Sequence, residues 1–259
     1  MLINLVGYIT LFVASVNVIL GTVIFLKGYK KANNIVYALS VFSISVWMFF
    51  VYLYNNPGSF DPKYLLKLVY IFSYGMLFSQ MIFGYFFPRK TETNFLYLFL
   101  PILFLSLLGL YVLLIEDSVV LSVVHYPEKY ISIATMGKGY VVHMLPSIVG
   151  GLIISIFFFR KSKRLIGYEK AQSRFYLIGV LFMLTTIMIL DYLIPMLSGD
   201  TKYYVYSPLA VIPFTVSLTY SVIKNRFLRI SSIIQKLLEV FSNFVYIFSV
   251  LIFYEFLLH

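Results

Sequence analysis

Eight long apolar runs take up most of this chain of 259 residues. A helix that crosses a bilayer needs about 20 consecutive, mostly apolar residues, and each run reaches that length. Because lipid offers the backbone no hydrogen-bond partner, such runs span a membrane as helices. We therefore predict an all-α, polytopic transmembrane helix bundle of seven helices plus an eighth. The predicted spans lie at residues 3–26, 34–55, 65–87, 95–115, 140–159, 172–194, 204–223 and 237–258.

The composition also indicates a lipid environment. Hydrophobic residues make up 61% of the chain and charged residues only 12%, which leaves too little polar surface for a soluble globule of this size. A net charge of +10 would suggest a nucleic-acid partner for a soluble protein. Here the basic residues are spread over short loops beside the spans, where topology and contact with anionic lipid explain them better. The expected partner is the lipid bilayer, with no nucleic acid.

The basic residues are concentrated in every second gap between the spans. Fifteen of the twenty Lys and Arg residues, but only three of the ten acidic residues, lie in or beside the first, third, fifth and seventh gaps. Short loops rich in Lys and Arg stay in the cytoplasm. We therefore predict a multi-pass protein of the plasma membrane with an extracytoplasmic N-terminus. The fifteen are Lys27, Lys30, Lys31, Arg89, Lys90, Arg160, Lys161, Lys163, Arg164, Lys170, Arg174, Lys224, Arg226, Arg229 and Lys236.

The longest gap on the predicted outer side, residues 116–139, does not have a helical pattern. Two β-branched runs, 118–126 and 130–135, flank the turn-like segment 127–129. This pattern predicts a small β-hairpin over the outer mouth of the bundle. Such a hairpin would be either a lid that touches a signal or an inert connector.

Proline positions distinguish the later spans. Pro146 lies about one turn into the fifth span, Pro195 is expected to end the sixth, and Pro208 and Pro213 lie in the outer half of the seventh. Each interior proline frees a backbone carbonyl and can kink its helix. Spans five to seven are therefore expected to be weakest at their outer ends.

Three ionisable residues lie at or near membrane depth on the predicted outer side: His143, Asp191 and Glu255. A charge inside the bilayer is costly and usually faces a cavity or a partner. One hypothesis is an outer-leaflet pocket in which Asp191 and His143 bind a small polar signal or respond to protonation. The alternative is that each side chain simply reaches the membrane interface.

Aromatic residues add three candidates to this site. Tyr140 and Tyr192 belong to a group of tyrosines near the predicted helix ends, which either anchor the protein at the headgroup level or line a ligand pocket. Trp47, the only tryptophan, lies within the second span, where its indole N–H needs a partner. It either packs in the bundle or contacts a ligand.

Catalytic and metal-binding patterns are absent from the sequence. There is no phosphate-binding glycine loop that ends in Gly-Lys-Ser/Thr, no His-Glu-x-x-His pair and no cysteine. No paired acidic residues lie in a predicted span, which argues against a membrane protease. We expect this chain not to be an enzyme and to hold neither a cofactor nor a metal.

Three further stretches share a pattern of small, aromatic and basic residues. The first runs from Gly21–Phe25 through a basic turn, Asn33, Asn34, Ala38 and Leu39 to Trp47. The second runs from Gly167–Arg174 through Leu177–Gly179 to Leu193–Leu197. The third consists of Pro208 and Tyr220–Ile230. In their order and spacing they resemble the N-terminal seven-helix membrane region of bacterial sensor histidine kinases, a module also found ahead of other signalling outputs.

The resemblance covers residues 1–230 and implies a sensory input domain that passes a small-molecule or lipid signal to a cytoplasmic kinase module in cis or in trans. It also implies a homodimer. Residues 231–259 would then be an additional membrane helix, the start of a truncated continuation, because no kinase sequence follows in this chain. A signal at the outer face would change the packing of spans five to seven, and residues 224–230 would carry the change inward. In that segment Arg226 and Arg229 are expected to be relay residues or topology anchors.

Two other functions remain open at this stage. A small multi-pass transporter or channel would need broken helices and polar groups near the bilayer midplane, and the predicted midplanes are almost wholly apolar. A structural membrane subunit that acts with a partner chain is the other alternative.

Overall fold

The computed structural model describes residues 2–90, 95–199 and 201–224. Within these ranges the chain is mainly helical, with one small antiparallel sheet. Six helical segments are long and apolar enough to cross a membrane, which confirms a multi-pass pattern. The first five are α1 (Leu2–Gly28), α2 (Ala32–Asn55), α3 (Pro62–Phe86), α4 (Phe95–Leu114) and α5 (Tyr140–Arg164). The predicted eighth span, 237–258, lies outside the described residues.

The sixth helical segment is longer than predicted, and it changes geometry along its length. It runs continuously from Gly167 to Ser198 as α6 (Gly167–Ile187), a π-helical segment (Met188–Leu193) and the short α7 (Ile194–Ser198). The prediction that Pro195 ends this helix was wrong. Pro195 lies within this continuous segment, in the first turn of α7. The helix instead ends at Gly199, whose φ of 79° is a conformation that glycine adopts without strain.

The predicted seventh span has two geometries. Tyr204–Ala210 forms a 3₁₀ helix, and α8 (Val211–Lys224) follows it directly. Pro208 and Pro213 each lack the N–H that an α-helical ladder requires, and Pro208 lies within the 3₁₀ turns. The apolar part of this segment, Tyr204–Leu218, is shorter than the six long helices.

The predicted β-hairpin is confirmed. Strands β1 (Val120–Tyr126) and β2 (Ile131–Met136) pair antiparallel, from Val120 opposite Met136 to Tyr126 opposite Ile131. A 3₁₀ turn, Pro127–Lys129, connects them. The β-branched residues of both runs favour a strand over a helix, so local sequence was sufficient to identify this element.

Close helix contacts position the later part of the bundle. Gly179 of α6 lies directly against α8, because a Cβ atom at this residue would be only 3.2 Å from the Cα of Phe214 and 2.9 Å from the Cβ of Ser217. Small residues allow such close approach between membrane helices. A displacement of α6 is therefore difficult to make without moving α8.

The far end of α5, on the side predicted to be cytoplasmic, is fixed to α3 by a buried lysine. Lys161 donates from its Nζ to the carbonyl oxygen of Gly84 at 2.8 Å and to that of Tyr85 at 3.2 Å. Pro88 lies four residues after Gly84 and has no N–H to offer that carbonyl. Lys161 thus supplies a donor that the sequence of α3 cannot.

Candidate functional site

Asp191 lies in the π-helical segment Met188–Leu193, and this position follows from Pro195. In an α-helix the carbonyl of Asp191 would accept from the N–H of residue 195, but proline has no N–H and its ring clashes with the carbonyl four residues earlier. The backbone widens here, so the N–H of Ile194 bonds to the carbonyl of Ile189, five residues back. π-helical turns of this kind are frequent at functional sites.

Tyr140 donates a hydrogen bond to the carbonyl that Pro195 leaves without an N–H donor. Its hydroxyl donates to the backbone oxygen of Asp191, and its ring lies 6.2 Å from the ring of Tyr192. The hydroxyl of Tyr192 in turn donates to Oγ of Ser147 on α5 at 2.8 Å. Two predicted site residues, Tyr140 and Tyr192, therefore attach the irregular turn of the sixth helix to α5.

The carboxyl group of Asp191 is buried and lacks a full set of hydrogen bonds. The residue is 5% exposed, and the hydroxyl of Ser207 in the 3₁₀ helix lies near the carboxyl but donates its proton to the carbonyl oxygen of Tyr204 at 2.5 Å. Oδ1 has no hydrogen-bond partner among the described residues. A buried polar atom without a partner is costly, so it needs an explanation such as a ligand or a bound water.

A narrow cavity, here called the Asp191 cavity, lies next to this carboxyl group. Its polar and aromatic walls come from Trp47, Tyr70, Ser73, Ser147, Asp191, Tyr192 and Tyr204, and the remaining wall is aliphatic side chains and methionine. The space has room for only about two water-sized groups. The cavity is therefore a site for something small.

Trp47 lines the Asp191 cavity, as the hypothesis of a ligand contact required. Its side chain is 1% exposed, and Nε1 has no hydrogen-bond partner in the described part of the chain. Two residues with an unpaired polar atom, Trp47 and Asp191, thus line the same cavity. A polar molecule in the cavity would have a partner on each side.

His143 and Tyr140 are close to the cavity but do not line it. His143 is fully buried; its Nδ1 is 2.5 Å from the hydroxyl of Tyr74, and its ring centroid is 4.3 Å from that of the lining residue Tyr70. Nε2 has no partner among the residues that the structure describes. Asp191 lines the cavity and His143 does not; ring contacts of His143 with Tyr70 and Tyr140, and the hydrogen bond from Tyr140 to Asp191, connect the two residues.

The structure adds lining residues that the sequence analysis did not predict as site residues. These are Tyr70, Ser73 and Ser147. The signal that was present is the spacing of Tyr70, Ser73 and Tyr74, which places three polar side chains on one face of α3. The predicted relay residues Arg226 and Arg229, and the candidate Glu255, lie outside the described residues.

The β-hairpin is attached to the same end of the bundle by several hydrogen bonds. Ser132 of β2 donates from its hydroxyl to the carbonyl oxygen of Tyr54 at 2.6 Å and from its N–H to Oδ1 of Asn55 at 3.2 Å. The N–H of Ala134 donates to Oγ1 of Thr201 at 2.8 Å.

Thr201 continues this connection to the cavity. Its Oγ1 is 3.4 Å from the hydroxyl of Tyr54, whose ring lies 6.0 Å from that of Tyr204 in the cavity wall. The hydroxyl of Tyr70, in the same wall, donates to Sδ of Met136 at the end of β2 at 3.8 Å. The hairpin is thus linked to the cavity wall through hydrogen bonds and ring contacts.

Comparison of this chain with protein-family models, with curated proteins and with solved structures finds no match in any of the three.

Proposed function

We propose that this chain is the membrane-embedded input module of a bacterial signal-transduction protein and that its signal binds in the Asp191 cavity. One observation carries the proposal: Asp191, in a helix long enough to cross a membrane, is buried, lines a small cavity and has one carboxyl oxygen without a partner among the described residues. Ionisable groups at membrane depth are expensive and are usually retained for function. The resemblance of residues 1–230 to histidine-kinase sensory regions points to the same class of function.

The proposed topology has seven crossings, with Tyr204–Leu218 as part of the seventh, and an eighth span at 237–258. The N-terminus is extracytoplasmic, because the basic gaps stay in the cytoplasm. In this orientation the hairpin and the Asp191 cavity both belong to the outer side. A signal arriving from outside the cell would then meet the hairpin first.

The proposed switch is the π-helical segment Met188–Leu193. A π turn and an α turn differ in hydrogen-bond register by one residue, so the segment can adopt two discrete arrangements. A ligand shifts such an equilibrium only if it binds one arrangement more tightly than the other. Contact with Asp191 and Tyr192, both within the segment, provides that difference.

The proposed relay runs inward from the switch along α6 and α8. Gly179 keeps these helices in close contact, so a shift of α6 is transmitted to α8 and then toward residues 224–230. Arg226 and Arg229 would meet the effector there, either in the same polypeptide or in a partner, and the assembly would be a homodimer.

The proposal is tested by measuring whether a substitution at Asp191 changes a distance at the other end of the bundle. The chain contains no cysteine, so two cysteines can be introduced without background: Tyr29→Cys and Ile166→Cys, both at exposed residues of the basic side. Spin labels at these residues report the distance between the first basic turn and the connection from α5 to α6. The complete chain, reconstituted in lipid, is compared with and without Asp191→Asn.

A sensory module predicts that Asp191→Asn changes the distribution of this distance. The control is Glu116→Gln, which removes one acidic charge from an exposed residue that follows α4 directly, and it should leave the distribution unchanged. If both variants match the unsubstituted chain, the cavity is not coupled to the basic side and the sensory proposal is wrong.

A second candidate function, transport of a small solute, has one observation in its favour. The hydroxyl of Tyr176 donates to Oε1 of Gln80 at 2.5 Å, and Nε2 of Gln80 donates to Oγ of Ser40 at 2.7 Å. This buried polar chain joins α2, α3 and α6 within the bundle. Transport would require accumulation of a labelled solute, such as methylammonium, in sealed vesicles that contain the protein, whereas a receptor predicts binding without accumulation.

A further inference from the structure

The Asp191 cavity combines a carboxyl group that has no cationic partner with aromatic walls. Among the described residues no Lys or Arg side chain pairs with Asp191, and the nearby hydroxyl of Ser207 donates to the carbonyl of Tyr204. A buried carboxylate without a counter-charge is strongly disfavoured. A cation that enters the cavity would supply the missing charge and donate a hydrogen bond to Oδ1.

The aromatic walls favour a cation for a second reason. Trp47, Tyr70, Tyr192 and Tyr204 all border the cavity, and the faces of such rings attract positive charge. A neutral ligand would gain little from this arrangement beyond contact area. The carboxyl group and the rings therefore select the same kind of ligand.

The size of the cavity restricts the ligand further. With room for about two water-sized groups, it admits an –NH₃⁺ group and little more. A trimethylated ammonium group or a larger organic cation does not fit. The oxygens of Ser73 and Ser147, which also line the cavity, are available as further acceptors for the N–H groups of an ammonium ion.

We propose that the Asp191 cavity binds the protonated amino group of a small primary amine, with Asp191 as its counter-ion and the surrounding tyrosine and tryptophan rings as its enclosure. This inference rests on the proposed receptor function and names the chemical class of its signal. The same group occurs in free alkylamines and in the headgroup of phosphatidylethanolamine. The indole N–H of Trp47 needs an acceptor that an ammonium ion lacks, and a water molecule or a hydroxyl beside the amine would supply it.

The tryptophan provides a direct measurement. Trp47 is the only tryptophan of the chain and borders the cavity, so its fluorescence reports occupancy without a label. The complete chain is reconstituted in phosphatidylcholine bilayers and titrated with methylammonium chloride. We expect a saturable change in emission. Sodium chloride, methanol and tetramethylammonium chloride, which test for a metal ion, a neutral isostere and an oversized cation, should produce none.

The variants locate the binding group. Asp191→Asn should weaken methylammonium binding by about tenfold or more, since it removes a charge-assisted hydrogen bond. The matched control Glu116→Gln should bind as the unsubstituted chain does. If Asp191→Asn fails to fold, the unsubstituted chain still tests the proposal. The amine proposal is wrong if methylammonium causes no change in Trp47 emission, or if sodium chloride or methanol causes the same change as methylammonium.

A second set of bilayers distinguishes the two sources of the amine. If phosphatidylethanolamine is the natural occupant, adding it to the bilayer should change Trp47 emission and remove the response to methylammonium. If a free amine is the signal, the response should persist in both lipids. The spin-label experiment separates this inference from the receptor function: coupling without methylammonium binding overturns only the amine class, whereas binding without coupling overturns the receptor.

Discussion

The hydroxyl of Tyr140 on α5 donates to the backbone carbonyl of Asp191, the one carbonyl that Pro195 deprives of its normal helical N–H donor. A second pair of helices uses the same arrangement, because Lys161 donates to the carbonyl of Gly84, four residues before Pro88. Helix α5 thus supplies a side-chain donor near each of its ends to a carbonyl that a proline four residues later leaves without an N–H donor. These two contacts lead to the first two predictions.

Tyr140→Phe should lower the free energy of unfolding by about 1–2 kcal/mol, because the carbonyl of Asp191 then remains buried without a partner. The loss should be smaller in the background Pro195→Ala, where the new N–H of residue 195 can take over that carbonyl. Thermal unfolding of the four proteins in detergent gives the coupling between the two sites. If the two effects simply add, Pro195 is not the reason that Asp191 needs Tyr140.

Lys161→Met should reduce stability by about 1–3 kcal/mol, because two carbonyls at the end of α3 lose a charged donor. The matched control is Lys163→Met, which changes an exposed lysine two residues further along the same helix and should cost less than about 0.5 kcal/mol. Denaturant titration of both variants in the same detergent makes the comparison. Equal losses would mean that the contact with Gly84 and Tyr85 does not stabilise the bundle.

Gly179→Ala should destabilise the protein by about 1–3 kcal/mol, because the added methyl group meets the backbone of Phe214 and forces α6 away from α8. The corresponding control is Gly75→Ala on α3, where no atom lies within 4 Å of the added methyl group. That change should be neutral or slightly stabilising, since alanine favours helix more than glycine does. Thermal unfolding measures both, and a neutral Gly179→Ala would contradict the close contact on which the proposed relay depends.

Thr201→Val should loosen the hairpin from the bundle, because the N–H of Ala134 loses its acceptor. We expect the amide of Ala134 to exchange its hydrogen roughly five to ten times faster, which is the effect of losing one net hydrogen bond. Thr201→Ser keeps the hydroxyl and should retain the slow rate. Hydrogen exchange followed by mass spectrometry on peptides from residues 131–136 tests this, and unchanged exchange in Thr201→Val would show that the hairpin is held by its other contacts alone.

Local patterns were sufficient for most elements of this fold. The run lengths identified the six long helices to within a few residues at most ends, and the β-branched runs around Pro127–Lys129 identified the hairpin, because both features depend on near neighbours in the chain. The same reasoning failed at Pro195. A proline ends a helix only when no other group takes the carbonyl it leaves free, and the group that does so here, the hydroxyl of Tyr140, lies on another helix.

The candidate site was predicted in part for a similar reason. Asp191 and Trp47 stood out because a carboxyl group and a lone tryptophan are uncommon in apolar spans, and Tyr192 because it lies near a predicted helix end; all three line one cavity. Tyr70 and Ser73 share a polar face of α3, but that pattern alone does not show which helix or cavity the face meets. His143 was predicted to share a pocket with Asp191; it lies near the cavity, in ring contact with Tyr70 and Tyr140, but it does not line the cavity.

The amino-acid sequence by itself determined that this chain forms membrane-length helices and a hairpin, since lipid requires apolar runs to satisfy their own backbone and β-branched residues favour strands. Only the tertiary structure decided which polar groups meet. The rotation of each helix, the close approach at Gly179 and the enclosure of Asp191 by aromatic rings from α2, α3 and the 3₁₀ helix depend on packing between residues far apart in the chain. Such contacts are not determined by patterns among near neighbours in the sequence.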